Sequence, residues 1–138
     1  MSNWPPPIVR HADDALAAMR ALTCVTSSGA IPPPVVGHVL HRLALHAGSL
    51  DLVLVQLGVG LVDSLSAYEV FEDDGAEPLT NITRGAMLIA DAAERASLLS
   101  TDLLGARAAI ENQGFRTRPA AGRPPVFPPP DKPHGPTR

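Results

Sequence analysis

The residues in this chain best suited to chemistry are two histidines in His38-Val39-Leu40-His41, with His46 further on and His11 upstream. At i,i+3 spacing on a helix, His38 and His41 share one face and stand close enough to share a metal ion. Zinc takes three or four protein ligands, and no nearby Cys, Glu or Asp completes a set here. A metal-binding bundle using the His38/His41 face therefore needs a further ligand from another helix. The plainer reading makes both histidines edge residues of an apolar stripe, with no cofactor required.

Other constellations fail on order or context. Gly58-Val59-Gly60 follows an apolar run and resembles the start of a phosphate-cradling turn. A dinucleotide fingerprint needs a third glycine, and Val62-Asp63 stands in its place, so close helix packing explains the glycines better. Between Glu69 and Glu77 lie five carboxylates in nine residues. A calcium loop needs acids at alternate positions and a closing bidentate Glu, which this order does not supply. The segment reads as a solvated loop, able to attract the basic C-terminal tail. Cys24 sits among apolar residues and reads as an inert core thiol. Ser27, Ser28 and Ser64 lie in no nucleophile-elbow context, and Asp13-Asp14 sits where a helix start favours carboxylates. With no convergent set of roles, the chain does not read as an enzyme.

The C-terminal segment differs in composition from everything before Gly114. It holds eight of the fifteen prolines and no periodic apolar residues. Within it Arg123-Pro124-Pro125-Val126-Phe127-Pro128-Pro129-Pro130 favours the polyproline II conformation and is flanked by charge. It resembles the proline-rich ligands of SH3 and EVH1 modules, with Phe127 followed by three prolines close to the EVH1 core. That pattern departs at Asp131, where a fourth proline is expected. The resemblance implies a protein partner held through Pro124, Pro125, Phe127, Pro128, Pro129 and Pro130. Its composition otherwise predicts a disordered, solubilising tail.

The charges divide along the same line. Residues 1–113 carry six Arg against thirteen acids, a net of −7, and residues 114–138 carry a net of +4. An acidic body argues against nucleic-acid binding by the helices. A single cysteine excludes an internal disulfide and suits a reducing interior. No signal segment is legible near the start, and the longest uncharged apolar stretch, eleven residues between Asp51 and Asp63, is too short to span a bilayer. These features predict a soluble, cytoplasmic protein with no membrane contact.

The elements that would position such residues are helical. Trp4-Pro5-Pro6-Pro7 reads as an extended start. Leu16, Met19 and Leu22 with Ala15 and Val25 predict a first helix over about 12–27, ended by Ser27-Ser28-Gly29. Pro32-Pro33-Pro34 then sets the next start, with Pro34 near the first helical position. Val36, Leu40, Leu43, Ala47, Leu50, Leu54, Leu57, Leu61 and Leu65 form a ladder at 3-4 spacing. Gly48-Ser49 interrupts it, and a break there gives helices at about 34–47 and 50–71, with a buried strand over Leu50–Leu65 as the competing assignment. A last helix from Thr80 or Asn81 to about Asn112 places Ile82, Ala86, Ile89, Ala93, Ala96, Leu103 and Ile110 on one side. Asp91 with Arg95 and Arg107 with Glu111 are its i,i+4 pairs.

The expected architecture is all-α: a small bundle of three to four helices ended by a disordered Pro-rich tail. Residues 1–11 form an extended arm, 12–113 the bundle and 114–138 the basic tail. About a hundred residues bury roughly 60–65% of their unfolded surface, a modest core. Aromatics make up only 4% of the chain, so that core must be Leu, Val, Ile and Ala. Such cores gain burial by self-association, and the expected function is a non-catalytic, self-associating adaptor or regulator, dimeric through its long seams.

Overall fold

The computed structural model describes residues 6–71, 75 and 77–118. They form three helices: α1 (Pro7–Thr26), α2 (Pro33–Ala67) and α3 (Pro78–Ile110), with no strand among them. Each helix begins at a proline after an extended residue: Pro6 (φ −59°, ψ 156°), Pro32 (φ −59°, ψ 140°) and Glu77 (φ −79°, ψ 117°). Proline pre-sets the helical φ and forgoes only an amide that has no intrahelical partner, so it starts a helix without a side-chain cap. No side-chain cap bond forms at any of the three starts.

α1 starts at Pro7, five residues ahead of the expected boundary, and Asp13 and Asp14 lie beyond its first turn. Its end is built from hydroxyls. Thr23, Thr26, Ser27 and Ser28 donate to the carbonyls of Met19, Leu22, Cys24 and Val25 at 2.7–3.0 Å. Those bonds occupy carbonyls of the last turns, and Gly29 then reverses the chain at φ 121°.

The expected break at Gly48-Ser49 does not occur: α2 is one helix of 35 residues. Ser49 Oγ donates backward to Leu45 O at 3.0 Å instead of capping a new start. Gly48 lies against α3, where a Cβ would stand 3.8 Å from Ser100 Oγ. The strand assignment for Leu50–Leu65 falls with the break. α2 stops at Tyr68, which is extended (φ −133°, ψ 153°), three residues before the expected end.

α2 and α3 pack as a long antiparallel hairpin. Among the half-buried or buried positions on α2, Gly37, Leu40, Ala44, Ala47, Asp51, Leu54, Gly58, Leu61 and Leu65 form an unbroken 3-4 alternation. α3 answers with Ile82, Ala86, Ile89, Ala93, Ala96, Ser100, Leu103, Arg107 and Ile110. The fully buried residues are Ala44, Ala47, Ile82, Ala93 and Ala96. Four alanines among five core residues bring the axes close, and Ser100 Oγ donates to Ala44 O across the interface at 2.8 Å. α1 stands off: none of its Cα atoms comes within 8 Å of those of α2 or α3, and none of its residues is buried.

Candidate functional site

His38 and His41 lie in the second and third turns of α2. His38 is exposed, while His41 is half-buried against α3. There Arg107 donates from its guanidinium to His41 Nδ1 at 3.2 Å, which fixes that nitrogen as the acceptor. Arg107 also reaches Glu111 across one turn at 3.8 Å. The Asp91–Arg95 pair does not close among the described residues. A cation beside His41 and an exposed His38 do not by themselves form a ligand set. No group of three His, Cys, Asp or Glu among the described residues is placed to hold a metal.

Cys24 is exposed, which corrects the expectation of a core thiol: α1 has no core to bury it in. Of the acidic loop, Glu72, Asp73 and Asp74 fall outside the described residues, as do Trp4 and the whole of Pro124, Pro125, Phe127, Pro128, Pro129 and Pro130.

What the hairpin does present is apolar surface in two lateral strips. Leu50 (49% exposed) and Leu57 (44%) continue the seven-residue row begun by Val36 and Leu43 along one flank of α2. Leu99 (49%) lies on the matching flank of α3. The sequence ladder assigns Leu43, Leu50 and Leu57 to the helix seam. Leu40, Ala47, Leu54, Leu61 and Leu65 of that ladder do lie on the seam; between them the helices meet on Gly37, Ala44, Asp51 and Gly58, one position over from Val36, Leu43, Leu50 and Leu57. Leu50 and Leu57 are left exposed on the flank, while Leu43 is half-buried on the side toward α1.

The opposite flank holds a groove of about 510 Å³. Val55, Gly58 and Val62 from α2 and Ala86, Ile89 and Ala90 from α3 line it, and Asp51, Asp63 and Glu94 stand at its margins. No cation pairs with these three carboxylates among the described residues. A smaller gap of about 330 Å³ separates α1 from α2, between Met19 and Leu22 on one side and Val39, Leu43 and His46 on the other.

α2 is also long and apolar enough to cross a membrane by length and composition, with a mean hydropathy of 1.6 over its best 18 residues. The eleven-residue limit drawn from Asp51 and Asp63 does not hold for this helix, because the window accommodates a charged residue. Core helices of soluble proteins share this character but are mostly buried, whereas only 6% of this apolar stretch is buried. No protein-family model matches this chain, and no curated protein or solved structure is significantly similar to it.

Proposed function

We propose that this protein is a non-catalytic helical interaction module that self-associates as a dimer through the Leu50/Leu57 flank of the hairpin. One observation carries the reading: the buried core is four alanines and one isoleucine, while Leu50, Leu57, Leu98 and Leu99 remain 44–58% exposed. A chain whose largest apolar side chains lie outside its core gains most by burying them against another surface. The strip is long, because α2 spans about 52 Å at 1.5 Å per residue. Arg95 and Asp102, of opposite sign, lie beside Leu99 on α3, so a second copy meets no single-sign barrier there. The opposite groove is rimmed by carboxylates alone, and pairing two such grooves would bring like charges together.

A soluble, cytoplasmic setting is part of this proposal. Asp51 and Asp63 both lie within α2, and a carboxylate at the centre of a membrane span costs roughly 2.5–3.5 kcal/mol. α3 packs along α2 and carries Arg84, Asp91, Glu94, Arg95 and Asp102, which would have to enter with it.

The test is the double variant Leu50→Glu/Leu57→Glu in the full chain. Each lost leucine contact is worth about 1.5–3 kcal/mol, so dimer affinity should fall at least a hundredfold. Helical circular dichroism should be unchanged, since neither residue is in the hairpin core. Retention of the dimer by a folded variant places the interface elsewhere and refutes this assignment.

A further inference from the structure

We infer that the carboxylate-rimmed groove between α2 and α3 is the docking site of the chain's own C-terminal segment, centred on Val126-Phe127. The groove and the segment are complementary in charge and layout. Asp51 and Glu94 mark one end of the groove and Asp63 the other, with an apolar floor of Val55, Gly58, Val62 and Ala90 between them. In the segment, Arg123 and Lys132 bracket Val126-Phe127, and residues 114–138 carry a net of +4 against a net of −7 for the rest. Unpaired carboxylates at the margins of an apolar trough favour a ligand that is itself apolar between cations.

The length of chain beyond α3 permits the contact within one molecule. The middle of the groove, at Ile89, lies 21 residues before Ile110, about 32 Å along the helix. Sixteen residues separate Ile110 from Val126, about 50 Å in an extended polyproline conformation, so the segment reaches the groove with slack. Fold-back along α3 brings Arg123 first to the Asp51/Glu94 end and Lys132 to the Asp63 end. A floor of small residues leaves room for Phe127, and prolines restrict the free segment, which lowers the ordering cost of docking. This contact uses the flank that the proposed dimer leaves open, so either can fail without the other.

The experiment uses the full chain with Cys24→Ser and Pro130→Cys, nitroxide-labelled at position 130, beside the Val126-Phe127 pair, and enriched in ¹⁵N. Dilution into excess unlabelled, spin-free protein leaves only intramolecular effects. The expected result is at least a twofold loss of amide signal at Val55, Val59 and Ala90 in low salt, with Gly37, about 27 Å from Val55 along α2, unaffected. Signal should return in 0.5 M salt, and with Asp51→Asn/Asp63→Asn/Glu94→Gln in the same background. Undiminished groove amides in low salt overturn the inference. So does broadening that survives both salt and the triple substitution, because charge complementarity would then play no part.

Discussion

Gly58 and Gly60 show how little of a residue's role its type discloses. Read along the chain, Gly58-Val59-Gly60 is a symmetric pair with a packing explanation for both members. In the fold only Gly58 packs: a Cβ there would stand 3.4 Å from Ile89 Cγ2, whereas Gly60 has nothing within 4 Å. Gly60 thus carries the entropic cost of glycine in a helix interior with no compensating contact. Gly60→Ala should stabilise the protein by about 0.5–1 kcal/mol, measured by urea unfolding. A destabilisation would mean that position 60 is covered by a partner. His41 carries a similar lesson. Its place on one helix with His38 was legible from spacing, but its contact with Arg107, 66 residues away, was not, since nothing local fixes the register of two antiparallel helices.

At the scale of elements, helix existence was legible and helix boundaries were less so. The apolar periodicity of Ile82, Ala86, Ile89, Ala93, Ala96, Leu103 and Ile110 marked the inner face of α3, and these residues are buried or half-buried there. Starts were misplaced where first-turn carboxylates (Asp13-Asp14) or polar caps (Thr80, Asn81) were sought, because proline at the first helical position did that work in all three helices. The break at Gly48-Ser49 failed because a serine in mid-helix can bond back to the preceding turn. Leu40, Ala47, Leu54, Leu61 and Leu65 of the α2 ladder marked its seam, but Leu50 and Leu57 did not, because a sequence ladder weights large residues while close-packed helices select small ones such as Ala44 and Gly58. That account makes the alanines the critical contacts. Ala96→Leu adds three carbons at a residue only 6% exposed and forces the axes apart, which should cost about 1–3 kcal/mol. Thermal unfolding checks it; an unchanged midpoint would show that the hairpin seam is not close-packed.

The whole molecule is a hairpin with an attached helix. Among the described residues α1 buries nothing, and α2 and α3 bury little beyond alanine, yet α2 presents leucine and valine along its length and α3 presents leucine and methionine. In the proposed reading, one flank of this hairpin takes a second copy and the acidic groove takes a basic, apolar segment. Composition alone pointed toward self-association, because scarce aromatics and abundant alanine leave a modest core. The choice of flank required the structure, since it follows from which row of α2 the helices use to meet. Sedimentation equilibrium of the full chain over a hundredfold range of concentration tests this account most directly. The account predicts a mass of twice 14.5 kDa, passing toward the single-chain value on dilution. A mass of 14.5 kDa at every concentration would contradict it and leave the leucine flank without a partner of its own kind.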